Sequence, residues 1–126
     1  MRAIDTNVLV RLITRDDPQQ TAAADNFVAK GAWVSLLALM ETTWVLTSVY
    51  ALSAKEVSRV IEMLLEHRDL VIQDSDVARG ALELFRGRPA LGFSDCLMLE
   101  VAKKAGNLPL GTFDRNLGKA EGCHKL

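Results

Sequence analysis

The chain has 126 residues, which is enough for one domain with a substantial core. Its composition, 49% apolar and 25% charged, is ordinary for a globular protein, and no stretch approaches the ~20 consecutive apolar residues of a membrane helix. With a formal net charge of −1, the chain lacks the overall positive charge of a protein that coats nucleic acid. Any contact with nucleic acid must therefore use a local basic patch or bridging metal ions.

The N-terminus enters a strand-like pattern at once, without a basic region or a cleavage site, so we predict no signal peptide. Cys96 and Cys123 show no zinc-binding spacing, and we predict two reduced thiols in a cytoplasmic protein. The sequence contains no repeat, low-complexity segment or linker that would mark a second domain. Residues 1–126 are therefore predicted to form a single domain.

Strands and helices are predicted to alternate along the chain. Strands are predicted at residues 3–5, 33–35, 70–72 and 108–110, and residues 123–126 could add an edge strand. Helices are predicted to start near Val8, Pro18, Leu36, Ala54, Ser75 and Asp95. This alternation, with short turns, favours an α/β fold in which helices cover both faces of a parallel sheet.

Local signals fix several helix ends. Asp17 before Pro18 is typical of a helix start, because Asp caps well and Pro fits the first helical position. Ser53 and Glu56 have the spacing of a capping box. Ser94 is predicted to cap the helix that follows it.

The apolar run over residues 36–50 is long enough to predict a buried helix. Trp33, Trp44 and Phe85 are all predicted to be core residues. These assignments rest on apolar character and spacing alone.

Most of the 16 acids have polar neighbours, which favours caps, ion pairs or solvated positions; Glu100, for example, is spaced to pair with Lys104. Four acids lie instead among apolar residues, where burying a carboxylate costs several kcal/mol unless a cation or donors satisfy it. These four acids are Asp5, Glu41, Asp95 and Asp114. Their shared setting suggests a shared role.

The predicted elements bring these acids toward one edge of the sheet. Asp5 and Asp114 follow strands, Asp95 opens a helix, and Glu41 lies within about two helical turns of the second strand. The carboxyl ends of parallel strands meet at one edge, so we expect the four acids to converge. Converging carboxylates repel one another unless a divalent cation such as Mg²⁺ or Mn²⁺ joins them, and the set contains no His or Cys that would indicate zinc.

These residues make the sequence similar to PIN-domain proteins, and more narrowly to VapC-type toxin ribonucleases. The matching segments are residues 4–10 (IDTNVLV), Ser35 with Glu41, Ser94-Asp95 and Thr112-Phe113-Asp114. They follow one another in the family's order along essentially the whole chain.

The resemblance implies a three-layer α/β/α fold with a short, mainly parallel sheet of four or five strands. It also implies a cytoplasmic Mg²⁺- or Mn²⁺-dependent endoribonuclease, the toxin of a type II toxin–antitoxin module. The expected state is a homodimer bound to its cognate antitoxin, with the helices that follow Asp5 and Pro18 as an apolar surface for an antitoxin segment. No membrane association is expected.

The family's roles carry over residue by residue. The catalytic and metal-binding acids would be Asp5, Glu41, Asp95 and Asp114, and the supporting polar residues would be Thr6, Asn7, Thr112 and Asn116. The candidate RNA contacts are Arg11, Arg86, Arg88 and Arg115, although solvated surface is the commoner role of a single arginine. The implied reaction is hydrolysis of a phosphodiester by metal-activated water. No side-chain nucleophile is required, and Cys96, with no His near it in sequence, is assigned to helix packing.

Two other interpretations remain open. A receiver or phosphatase-like α/β domain also gathers acids at strand ends, but a receiver needs an adjacent acid pair after the first strand and a Lys after the last. Here Thr6 and Asn7 follow Asp5, and Asp114 stands where the Lys would be. The second alternative is a non-catalytic PIN-like module that binds RNA or a partner, although such a module has no need of four clustered carboxylates.

Overall fold

A computed structural model describes residues 1–126, and strands and helices alternate in it as predicted. The strands are Arg2–Ile4 (β1), Ala32–Val34 (β2), Leu70–Ile72 (β3), Leu110–Thr112 (β4) and Cys123–Lys125 (β5). The helices are Thr6–Thr14 (α1), Pro18–Val28 (α2), Leu36–Ser48 (α3), Ala54–Glu66 (α4), Ser75–Gly87 (α5) and Phe93–Lys104 (α6). Short 3₁₀ turns occur at Pro89–Leu91 and Leu117–Lys119. None of the helices combines the length and the apolar character needed to cross a bilayer.

The chain divides into two compact units, Met1–Ser75 and Asp76–Leu126. In the first unit, three parallel strands form a sheet in the order β1-β2-β3. In the second unit, β4 and β5 form a separate parallel pair, so the five strands are divided between two sheets instead of forming the single sheet of four or five strands that was expected. The strand at residues 123–126 is thus confirmed, whereas the fourth strand begins two residues later than predicted, after the cis Leu108–Pro109 bond.

The first unit is built around β2, whose Ala32 and Val34 have no exposed surface. Helix α3 packs against α1 and buries Leu39 and Leu46 completely. The prediction of a wholly buried α3 is wrong, because the side chain of Trp44 is 63% exposed. Because this apolar run has no polar face, the sequence does not show which side of the helix packs against the core. In the structure, the side that carries Trp44 does not pack against the core.

Helix ends follow local chemistry where a side-chain cap exists. The Asp17 carboxylate accepts a hydrogen bond from the Gln20 backbone, and Ser53 and Glu56 form the predicted capping box. Ser94 is not a cap, however, since α6 starts at Phe93, two residues earlier than predicted, and Gly92 is its N-cap residue. Gly92 has φ +77, a backbone conformation that Ser would adopt only with strain.

The second unit has its own apolar core around α5 and α6. The rings of Phe85 and Phe93 meet edge to face with centroids 6.0 Å apart, so Phe85 is a core residue as predicted. Lys104 Nζ lies 3.1 Å from Asp76 Oδ1, an ion pair between α5 and α6 that the sequence did not predict. Both cysteines are free thiols, as predicted.

Candidate active site

Asp5 is the N-cap of α1. Its Oδ1 accepts a hydrogen bond from the Val8 backbone nitrogen at 3.1 Å, which satisfies one of the donors left open at a helix start. The carboxylate is exposed and has no ion-pair partner, so the expectation that it is a costly buried charge is wrong. One oxygen is fixed by the helix, and Oδ2 is left for a ligand.

The polar residues after Asp5 occupy the first turn of α1. Thr6 is half-buried, whereas Asn7 is exposed and lines a cleft together with Asp5. Neither side chain hydrogen-bonds to the Asp5 carboxylate. Their predicted role as supporting residues therefore rests on their position alone.

Arg11 is held by its own chain. Its Nη1 donates to Asp16 Oδ1 at 3.0 Å and to the Tyr50 hydroxyl at 3.2 Å, and its Nε donates to Gln20 Oε1 at 2.6 Å. The hydrogen bond with Tyr50 and the charge of Asp16 raise the pKa of this guanidinium. Arg11 therefore joins α1 to α2 and to the end of α3, and only Nη2 is left to contact RNA.

Glu41 lies on an exposed face of α3. Leu37 and Trp44, one turn to either side, are 73% and 63% exposed. Glu41 has no hydrogen bond or ion pair within the chain. Ser35, which the family resemblance placed beside it, serves as the N-cap of α3 and accepts a hydrogen bond from Ala38.

Asp95 and Asp114 influence each other electrostatically. Asp95 is half-buried in the first turn of α6, and its pKa is raised first by burial and then by the Asp114 carboxylate. Neither a hydrogen bond nor a cation of the chain lowers the pKa of Asp95. A repulsive pair of this kind suits an external cation.

Asp114 is oriented by the turn that follows it. Its Oδ1 accepts a hydrogen bond from the Leu117 backbone at 2.7 Å, and its own backbone nitrogen donates to Thr112 Oγ1 at 3.0 Å. Thr112 thus contacts Asp114 directly, as a supporting residue would. Arg115 and Asn116 follow on the exposed surface, and Asn116 makes no capping hydrogen bond.

Cys96, next to Asp95, has no exposed surface. Burial, and then the charge of Asp95, raise the pKa of its thiol to about 11. The group is therefore protonated at neutral pH and is neither a nucleophile nor a metal ligand, which confirms its assignment to packing. The pKa of the Cys123 thiol is also raised, mainly by burial. The positive charge of Arg88 opposes this rise at both thiols but is the smaller effect.

The acids thus occur as Asp5 and Glu41 in the first unit and Asp95 and Asp114 in the second. Within neither unit do three or more His, Cys, Asp or Glu side chains gather into a metal-binding group. Their exposed or half-buried carboxylate oxygens are the hard ligands that Mg²⁺ and Mn²⁺ prefer, so the donor set fits such an ion. The convergence of all four stays a prediction.

A cleft between α1 and α2 was not predicted as a site. Its volume is about 390 Å³, and it is lined by Asp5, Asn7, Val8, Arg11, Gln20, Ala23, Ala24 and Phe27. The sequence carries a signal for it, since the α2 members are spaced i, i+3, i+4 and i+7, which places them on one helix face. Gln20 and Phe27 are the chemically distinctive residues that the sequence reasoning missed.

The family comparison agrees with this arrangement. A family model described as PIN domain matches residues 3–122. No curated protein and no solved structure matches the chain. PIN domains are generally nucleases, and PIN-domain nucleases usually use divalent metals. The match spans nearly the whole chain and confirms the predicted three-layer α/β/α fold class, and the chain therefore belongs to the PIN domain family.

Proposed function

We propose that this PIN-domain protein is a Mg²⁺- or Mn²⁺-dependent endoribonuclease, the toxin of a toxin–antitoxin module, and that residues 1–126 act as one domain. The observation that carries the proposal is the pair Asp95 and Asp114, two interacting carboxylates with no cation of the chain beside them. Nucleases of this family usually use divalent metals, and carboxylate oxygens are ligands that such metals prefer. The toxin role and the choice of RNA over DNA rest on the VapC-like segments of the sequence.

The chain supplies a cation to several of its acids. Asp16 and Asp25 each hydrogen-bond to an arginine, at 3.0 and 2.6 Å, and Asp76 pairs with Lys104. The proposed metal ligands have no such partner. This contrast favours an external cation at Asp95 and Asp114.

The proposed ligands are Asp95 and Asp114, completed by Asp5 and Glu41. The chemistry that a bound divalent cation supplies in such sites is activation of water and stabilisation of charge on the phosphate. Asp5 and Asp114 each use one oxygen for a backbone hydrogen bond, which fixes the direction of the other. Arg115 and Asn116, exposed directly after Asp114, are placed to contact the RNA backbone.

The exposed apolar side of α3 is the surface we assign to the homodimer. Leu37 and Trp44 are 73% and 63% exposed there, and large apolar side chains of this kind are typical of interfaces. Replacing Trp44 by Ser should convert a dimer to a monomer in light scattering without unfolding the chain. A Trp44→Ser variant that remains dimeric contradicts this assignment.

The nuclease activity is best tested with matched variants of two helix caps. Asp5→Asn and Asp17→Asn both keep a good N-cap residue, so both variants should fold. Purified wild type should degrade total RNA with Mn²⁺ but not with EDTA. The Asp5→Asn variant should lose this activity, whereas Asp17→Asn should retain it.

If wild type and Asp5→Asn degrade RNA equally, the degradation does not arise from this site and the proposal fails. A second candidate, a non-catalytic RNA-binding module, is favoured by one observation: Asp5 and Asp114 already have a structural role, since each accepts a hydrogen bond from a backbone nitrogen. That candidate predicts retained RNA binding with no cleavage under any metal condition.

A further inference from the structure

The cleft between α1 and α2 combines a planar ring with fixed hydrogen-bond donors. Asp5, which we propose as a metal ligand, lines the same cleft. We propose that this cleft binds an RNA base next to the scissile phosphate and prefers guanine. The proposal rests on the proposed ribonuclease function and deepens it, because it names the base that the site selects.

The donors of the cleft are set by Arg11. Its Nε donates to Gln20 Oε1 at 2.6 Å, so the oxygen of that amide is occupied and the Gln20 Nε2 donor is left for a ligand. Arg11 Nη1 is held by Asp16 and Tyr50, which leaves Nη2 as a second donor. The cleft therefore offers two hydrogen-bond donors, Gln20 Nε2 and Arg11 Nη2, on side chains that are held in place by other hydrogen bonds.

Guanine matches two neighbouring donors best. Its O6 and N7 are adjacent acceptors on one edge, whereas adenine presents one donor and one acceptor there, and cytosine presents an amino donor. Arginine paired with this edge of guanine is the commonest specific protein–base contact. The pattern on Arg11 and Gln20 thus selects against adenine and cytosine.

Phe27 supplies the surface for stacking. The Arg2 guanidinium lies over its ring at 3.8 Å from the centroid, which holds the ring in place and covers one face. Arg2 is not among the residues that line the cleft, so a base in the cleft meets the other face of the ring. Ala23 and Ala24 beside Phe27 are small enough to leave room for a base.

The first test measures binding without cleavage. Guanosine, adenosine, cytidine and uridine 5′-monophosphates are titrated into the full chain without metal, and amide and side-chain shifts are followed by NMR. GMP should bind roughly five-fold or more tighter than AMP or CMP and should shift the Gln20 side-chain amide. Equal binding of all four nucleotides, or shifts elsewhere only, overturns the proposal.

Two variants sharpen this test. Gln20→Glu keeps an acceptor for Arg11 but replaces the free donor by an acceptor, so the preference for GMP should disappear while the fold is retained. Gln19→Glu, an exposed neighbour outside the cleft, is the matched control and should behave as wild type. Phe27→Leu should weaken binding of every base by roughly five-fold or more, because stacking is lost.

Cleavage of short RNAs that differ in a single base gives the second readout. Wild type should cut guanine-containing oligomers fastest, whereas Gln20→Glu should cut them no faster than the other oligomers and Gln19→Glu should keep the preference. If wild type cuts no RNA but GMP still binds in the cleft, the ribonuclease proposal fails and the base site stands. If wild type cuts RNA with no base preference, or if an amphipathic peptide binds the cleft and no nucleotide does, the base site fails instead.

Discussion

The α1–α2 region and the start of α6 differ in the charges that surround their carboxylates. In the first region, Arg11 pairs with Asp16 and Arg15 pairs with Asp25. At the start of α6, Asp95 has no cation, and its closest charged influence is the like charge of Asp114. Asp16 and Asp25 come with their own cation, whereas Asp95 and Asp114 carry an electrostatic cost that an external ion could remove.

The largest expected effect is on catalysis. Asp95→Asn removes one charge of the pair and keeps the size of the side chain, and RNA cleavage should fall by at least about 100-fold, since several kcal/mol of metal-dependent stabilisation are lost. Asp76→Asn, in the first turn of α5, is the control and should cleave as wild type does. The measurement is the initial rate of cleavage of a labelled RNA with Mn²⁺. Similar rates for both variants would show that the contrast between the regions has no functional meaning.

The next effect is on stability in the presence of metal. Mn²⁺ at 100-fold above its Kd should raise the free energy of unfolding by about 2.7 kcal/mol, because only the folded chain holds the ligands together. Thermal unfolding of wild type should shift upward with Mn²⁺, while that of a variant carrying Asp95→Asn and Asp114→Asn should not. If saturating Mn²⁺ leaves the melting temperature of wild type unchanged, the four acids do not share a cation site.

The pH dependence of stability should have opposite signs in the two regions. The pKa of folded Asp95 is raised above 3.8, so the folded chain binds more protons and the free energy of unfolding falls as pH rises through this window. The pKa of folded Asp25 is lowered by Arg15, so its stabilisation is present above pH 3.8 and is lost as pH falls.

Denaturant unfolding of two variants between pH 3 and 7 measures this difference. The free energy of unfolding of Asp95→Asn should be at least as large as that of wild type at pH 7, and the difference between the two should disappear at low pH. Asp25→Asn should be less stable than wild type at pH 7, and its gap should also close at low pH. If both variants differ from wild type in the same direction at pH 7, the two regions do not have opposite pH dependences.

The smallest expected effect is on the pKa of Asp95 when Asp114 loses its charge. Asp114→Asn keeps an acceptor for the Leu117 backbone but removes the charge, so the pKa of Asp95 should move only partway toward its ordinary value. Burial, the larger cause of the raised pKa, is unchanged. A carbon-detected NMR titration of the Asp95 carboxyl measures this shift, and an unaltered pKa would mean that the two groups do not interact.

Local signals in the sequence predicted the fold well. Asp17 with Pro18, and Ser53 with Glu56, start helices where the structure has them, and β3 lies where its apolar run predicts. These features depend on neighbours within four residues, so they are encoded in short stretches. The boundaries that failed depend on backbone conformation, as at Gly92, which replaces Ser94 as the N-cap.

The candidate site was harder to predict, because it depends on contacts between distant segments. Sequence spacing suggested Glu100 as a partner of Lys104, but it gave no sign that helix packing also brings Asp76 within 3.1 Å of that lysine. Apolar neighbours made Asp5 and Glu41 look buried, yet both are exposed. The electrostatic influence of Asp114 on Asp95 joins residues 19 positions apart and has no local signature.

The backbone hydrogen bonds that Asp5 and Asp114 accept have a consequence for how this protein could change over time. Each carboxylate uses one oxygen to hold a backbone nitrogen, a task that asparagine performs equally well. A single-base change from Asp to Asn could therefore silence the nuclease without weakening the fold. Inactive descendants would persist as stable proteins, able to keep every partner that recognises the surface while no longer cutting RNA.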